Sequence, residues 1–286
     1  MRAIAAPNYN IQDVYLTCIT SIADESVRNR LDLAKNEIVA AGLDYKTRAE
    51  NKQLYTIPPN NCGNDETALC SVTKNELKDI YSSHMVGKTK PARIIYDSLL
   101  SQAPLGRCPL CGFGHASTLD HYLPKSKFPQ FSILPLNLIP SCKDCNTGKG
   151  TITAILAEEQ SLHPYFDQDE FINTQWLYAE VIHTTPATVR FFASPPESWD
   201  HISKARAHSH FNDFKLASRY SIEASNNLAC LRESLLCYRE LLGADGIKSH
   251  LTIEAQSHAS QHRNSWQTAM FQALSASDWY CAGGFM

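Results

Sequence analysis

Cys108-x-x-Cys111 and Cys142-x-x-Cys145 place four thiols in two matched pairs. At that spacing each pair turns as a knuckle that aims both sulfurs at one ion, and four thiolates suit tetrahedral zinc. Disulfides would need an oxidising compartment. MRAIAAPNYNIQDVY carries no apolar run behind its charged start, so no signal peptide is expected. No segment approaches the roughly 20 apolar residues that span a bilayer. The expected location is the cytoplasm, where thiols stay reduced. The thirty residues from 112 to 141 exceed the loop of a common zinc ribbon. A second site is therefore expected inside the loop, built around Asp120-His121. The other cysteines, Cys18, Cys62, Cys70, Cys230, Cys237 and Cys281, do not pair at ligand spacing and read as small hydrophobes.

The window runs LDHYLP, then NL at Asn137-Leu138, then CKDCNTGKG. In that order it resembles the HNH nuclease motif, and the chain is identified on these 45 or so residues as a member of the HNH endonucleases. The family's closing histidine is Asn146 here, a variant common in it. The resemblance implies hydrolysis of a phosphodiester bond in nucleic acid. That reaction needs a nucleophilic water, neutralisation of phosphate charge and stabilisation of the leaving oxygen. A hard divalent ion held by oxygen ligands supplies the last two. Asp120 would give a carboxylate and Asn146 an amide oxygen to a catalytic Mg²⁺ or Mn²⁺. His121 would be the general base, since imidazole titrates near neutral pH. Asn137 would hold the His121 loop or ring without touching the metal. Cys108, Cys111, Cys142 and Cys145 would hold the structural Zn²⁺. Neighbouring side chains of a regular strand face opposite ways, so Asp120 and His121 can share a site only where the strand ends or twists. Pro124 is expected to end it.

Taken singly, these residues have plainer uses. Asn146 suits a helix cap, Asn137 a turn, and His115 a position in a Gly-rich loop. His201, His208 and His210 lie near Lys204 and Arg206, but no carboxylate or cysteine completes a ligand spacing, so they read as a polar helix face.

The formal charge of −3 argues against a protein that finds nucleic acid by its overall field. From His84 to Gly150, however, eight basic residues face three acidic ones, a local +5. Lys125, Lys127, Lys143 and Lys149 are the candidate phosphate contacts. At 286 residues and 43% hydrophobic content, the chain can bury a real core in one or two domains.

These side chains need elements to hold them. Apolar residues from Val14 to Val39 recur at helical spacing, with Gly42 as a stop. Thr73 and Glu76 have capping-box spacing, which predicts a helix over 74–85. Pro91 opens another helix that leads into the first knuckle. A helix from Lys143 carries Asn146. HPYFD (163–167) reads as a turn and 176–194 as a β-hairpin around Thr184-Thr185-Pro186. Helices are predicted over 201–242 and 252–276, with a turn at 243–246. The aromatic tail SDWYCAGGFM is expected to dock on the core or on a partner. The expected fold class is α+β and mainly helical: a ββα-metal (HNH) core with a four-cysteine zinc site, flanked by N- and C-terminal helices and a β-hairpin. The expected organisation is a helical, partner-docking region over 1–95, a nuclease core over 96–160, and a hairpin with C-terminal helices over 161–286.

KPARIIYDSLLSQAPLGRCPLCG before the motif, HYLPKSKFPQFSILPLNLIPSC within it, and HPYFD with the Gly-Gly-Phe tail after it extend the resemblance. The arrangement is similar to the PtuB-like HNH effectors of bacterial Septu defence systems, some of which accompany retrons. That likeness implies an antiviral (anti-phage) nuclease gated by an SMC/ABC-type, PtuA-like ATPase partner. Two other readings stay open. One is a non-catalytic zinc module that binds nucleic acid or protein. The other is a standalone restriction-type HNH nuclease.

Overall fold

The first helix is set by its cap. Asn10 Oδ1 accepts from the Gln12 and Asp13 amides at 2.9 and 3.2 Å, and α1 (Ile11–Ile19) then buries Val14, Tyr15, Cys18 and Ile19. Asp24 caps α2 (Glu25–Leu33) in the same way. The next helix, α3 (Lys35–Glu50), runs straight through Gly42, where the sequence suggests a stop. A Cβ at Gly42 would lie 2.9 Å from Ile11 Cδ1 and 3.2 Å from Leu134 Cδ1, so this glycine serves a close helix approach and not a C-cap. The computed structural model describes residues 1–148, 150–151, 153–167 and 169–286, with Leu242 by its backbone alone.

A short hairpin, β1 (Thr67–Leu69) and β2 (Val72–Thr73), leads into α4 (Lys74–Asp79). Thr73 and Glu76 form the expected capping box. The predicted helix does extend to Met85, but its second half, Ile80–Met85, has π geometry. Helix α5 (Arg93–Ser101) brings the chain to the first knuckle. Strands β3 (Thr118–His121) and β4 (Leu138–Ser141) pair antiparallel, with Asp120 opposite Ile139 and His121 opposite Leu138. Helix α6 (Lys143–Gly148) follows at once. The chain from Arg2 to Asp167 forms one compact unit. Its core joins Val14, Tyr15, Leu31 and Ile38 of the N-terminal helices to Leu77, Ile80, Met85, Ile95 and Leu99. Leu119, Ile133 and Leu138 from the cysteine-bracketed window complete the same core. Each such side chain contributes roughly 1.5–3 kcal/mol on burial.

The second unit comprises residues 168–286 with Met1. Helix α7 (Asp169–Asn173) precedes the expected hairpin, β5 (Leu177–Ile182) and β6 (Thr188–Ala193), in register from Leu177–Ala193 to Ile182–Thr188. Asp200 caps α8 (His201–Asp213). His210 on this helix is fully buried against Trp176 and Phe214, whereas His201 and His208 are exposed, so the three histidines share no polar face. The long α9 (Leu216–Gln261) is two helical stretches that meet at a kink at Gly243 (φ 66°, ψ −169°), at the start of the predicted turn, and Tyr238 and His250 on either side of it pack with ring centroids 5.0 Å apart. A further break comes at 262–265, where Ser265 caps α10 (Trp266–Ala276). Asn264 in that break accepts from the Trp176 and Leu177 amides and donates to the Phe171 and Thr174 carbonyls. In the tail Tyr280, Cys281 and Phe285 are buried. No helix of the described residues is long and apolar enough to cross a membrane. Among the described residues the chain is thus mainly helical, with three small antiparallel hairpins.

Candidate functional site

The first knuckle closes by backbone bonds. The Gly112 amide donates to the Cys108 carbonyl and the Cys108 amide to the Gly114 carbonyl, both at 2.7 Å. The Arg2 amide anchors the turn at the Pro109 carbonyl, 2.7 Å away. Cys142 follows β4, and Cys145 lies on α6. All four sulfurs are buried and lie within 4.8 Å of one another. A tetrahedral Zn–S shell has edges of about 3.8 Å, and Cys111 and Cys142 stand 3.9 Å apart. A disulfide would need about 2.05 Å. The Gly114 amide points at Cys111 Sγ at 3.4 Å, as an outer-shell donor to a thiolate does. The neighbouring thiols, Cys108 foremost, hold Cys142 far below the ordinary thiol range. Cys108, Cys111, Cys142 and Cys145 can therefore hold a structural metal such as zinc.

His121 is the last residue of β3, one position after Asp120. Both are buried, each with 9% exposure. The His121 Nε2 lies 2.8 Å from the Ser132 carbonyl oxygen. A carbonyl only accepts, so Nε2 carries the proton and Nδ1 the lone pair. Burial is the main cause that lowers the His121 pKa to about 4; nearby Lys125 lowers it further, and the Ser132 bond partly opposes. The ring is then neutral at pH 7. Tyr81 packs edge-on against it, with centroids 4.4 Å apart, while its hydroxyl donates to the Leu119 carbonyl in β3 at 3.1 Å. Burial first, then Tyr96 and Asp120, keep that phenol protonated by raising its pKa.

Asn137 is completely buried at the entry to β4. Its Nδ2 donates to the Leu123 and Phe131 carbonyls at 3.0 and 3.1 Å. Its Oδ1 accepts from the Leu123 amide at 2.7 Å. These bonds seal both ends of the loop between His121 and Ser132. Asn137 therefore acts on the residues that flank His121.

Helix α6 packs against β3 and carries Asn146, half-buried, on its second turn. The Asn146 Nδ2 donates to Thr118 Oγ1 at 3.4 Å, which leaves Oδ1 as the available acceptor. Hairpin and helix thus bring Asp120, His121 and Asn146 onto two contacting elements. Lys125 is half-buried; its Nζ donates to Ser82 Oγ at 2.7 Å and sits 4.6 Å above the Tyr81 ring. Lys127 Nζ reaches Thr153 Oγ1 at 3.4 Å, and Lys143 is exposed. Lys149 lies outside the described residues. His115 is exposed and bridges Arg107 through the backbone. Sequence patterns did not point to Ser132, Tyr81 or Gly114. Only the glycine had a signal, the turn chemistry of GFGH after the first knuckle.

The chain is 32% identical over 232 residues to protein ea31 of Escherichia phage lambda, an alignment covering 80% of this chain and 78% of the phage protein. No family model matches the chain, and no solved structure matches it.

Proposed function

We propose that this chain, which belongs to the family of protein ea31 of Escherichia phage lambda, is a metal-dependent HNH endonuclease that hydrolyses phosphodiester bonds in nucleic acid. One observation carries the reading. The Ser132 carbonyl holds the proton of a buried, neutral His121 on Nε2, so Nδ1 offers a lone pair on the residue that follows Asp120 in β3. A zinc site has no use for that arrangement, and hydrolysis does. In the reaction a water loses its proton to His121 Nδ1, its oxygen forms the new bond to phosphorus, and the ester P–O bond breaks. The leaving oxygen recovers a proton from solvent. Asp120 and Asn146 offer the hard oxygen donors that magnesium or manganese prefers. Such an ion, when bound, neutralises phosphate charge and stabilises the leaving oxygen. Asn137 keeps the loop, and with it the Ser132 carbonyl, in place. Lys125, Lys127 and Lys143 supply the local positive charge that phosphate requires.

The narrower reading is an effector of anti-phage defence, held inactive by an ATPase partner of the SMC/ABC type. The motif flanks support it, and so does the net charge of −3, which leaves substrate access to a partner. The test is cleavage of labelled DNA and RNA by the zinc-loaded chain in Mg²⁺ or Mn²⁺, beside His121→Ala, with zinc counted by elemental analysis. Cutting that vanishes in His121→Ala establishes the nuclease and its substrate class. Cutting that survives moves the base elsewhere. No cutting, alone or with the ATPase added, while zinc is bound leaves the non-catalytic zinc module.

A further inference from the structure

A buried polar chain reaches Asn137 from outside the motif. Tyr45, on α3, is fully buried, and its hydroxyl lies 3.2 Å from Asn137 Oδ1, 3.4 Å from the Leu136 carbonyl and 3.2 Å from His163 Nε2. His163, 1% exposed, opens the HPYFD turn. The Tyr165 amide donates to His163 Nδ1 at 3.2 Å. An amide N–H only donates, so Nδ1 is the bare nitrogen and Nε2 carries the proton. His163 therefore donates to the Tyr45 oxygen. The Tyr45 proton is then directed to Asn137 Oδ1, the nearer of its two remaining acceptors. Asn137 in turn donates to Leu123 and Phe131 on either side of the His121 loop. Every bond in the chain has one permitted direction. The turn holds the other strand as well: Tyr165 donates to the carbonyl of Leu138, the residue opposite His121, at 2.7 Å. The His163 ring also packs on Tyr122, the residue after His121, with centroids 4.2 Å apart.

We infer that Tyr45 and His163 are positioning residues for His121. Through Asn137 they fix the loop that presents the Ser132 carbonyl, and so fix which nitrogen of His121 is the base. The inference deepens the endonuclease reading and rests on it for its catalytic consequence, though not for its structural one. Asn137 is the shared hub: Tyr45 lies 92 residues before it in the chain and His163 follows 26 residues after it.

The test is ¹⁵N NMR of the imidazoles in the zinc-loaded full chain, with the His121 signals assigned by their loss in His121→Gln. Wild type should show His121 as a single tautomer protonated on Nε2. Tyr45→Phe removes one hydroxyl, and His163→Asn keeps the Nδ1 acceptor but loses the Nε2 donor. Both should bring in the second tautomer. His163→Gln keeps a donor where Nε2 stood and should restore the wild-type spectrum. In cleavage assays Tyr45→Phe and His163→Asn should each lower kcat by about 10- to 100-fold with KM nearly unchanged. The double variant should lose no more than either single one, because both act through one chain. A wild-type His121 spectrum in Tyr45→Phe overturns the inference, and so does equal damage from His163→Gln and His163→Asn. Should His121→Gln cut at the wild-type rate, the endonuclease reading fails, while the spectra still decide the positioning.

Discussion

His121 is defined by one carbonyl. Without the Ser132 oxygen either ring nitrogen could carry the proton, and burial alone would leave the tautomer unassigned. His121→Gln separates fold from chemistry, since its amide nitrogen can still donate to Ser132 but offers no Nδ1 base. It should abolish cleavage yet melt within a few degrees of wild type, checked by turnover and thermal denaturation side by side. Asn137 behaves in the opposite way. Its side chain bonds Leu123 twice and Phe131 and Tyr45 once each. Asn137→Ala would strand several buried groups at about 1–3 kcal/mol apiece. A loss of roughly 3–5 kcal/mol is expected in urea unfolding, after partial relaxation of the loop. Near-wild-type stability would show that the loop holds itself.

At the scale of elements, hairpin and helix share their supports with the knuckles. Strand β4 leads into Cys142, and α6 carries both Cys145 and Asn146. Damage to the sulfur cluster therefore reaches the candidate site. Gly114 is the sensitive point. A Cβ there would lie 2.8 Å from Cys142 Sγ and 2.9 Å from its Cβ. Gly114→Ala should weaken zinc retention against a chelator by about tenfold or more, because ligand geometry sets metal affinity. Cys108→Ser, which removes a ligand outright, should lose zinc and lower the melting temperature further. Unchanged zinc stoichiometry in Cys108→Ser would remove it from the ligand set. Spacing makes the local pieces legible: the knuckles, the β-rich runs of 176–194 and the Thr73–Glu76 box each depend on residues a few positions apart. Gly42 misleads for the same reason. Its meaning lies in Ile11 and Leu134, which no local window contains.

For the molecule as a whole, charge sets how nucleic acid would be met. The formal charge is −3, while residues 84–150 hold eight basic against three acidic side chains. Association should therefore be only moderately salt-dependent and confined to that patch. Replacing Lys125 and Lys127 together by Ala should reduce the slope of log K against log salt by about two, one per phosphate contact. An unchanged slope would place the phosphates elsewhere. The N-terminal helices are more than an appendage to this patch, since their apolar residues and Leu119, Ile133 and Leu138 form one core. Truncating them should unfold the hairpin. The second unit carries its own core, anchored by Asn264 and the buried tail.

By itself the sequence determined the sulfur spacing, the order Asp120-His121, Asn137, Asn146, the caps and the periodic helices. Each of these is short-range: turns, caps and alternation depend on neighbours within a few residues. Tertiary structure alone decided which nitrogen of His121 is bare, since the deciding oxygen sits eleven residues away across a loop. It alone brought Tyr45 and His163 to Asn137 across 92 and 26 residues. It also turned His210 from an apparent surface residue into a buried one. Burial, hydrogen-bond direction and close approach are properties of what surrounds a residue, and the chain assembles those surroundings only when it folds.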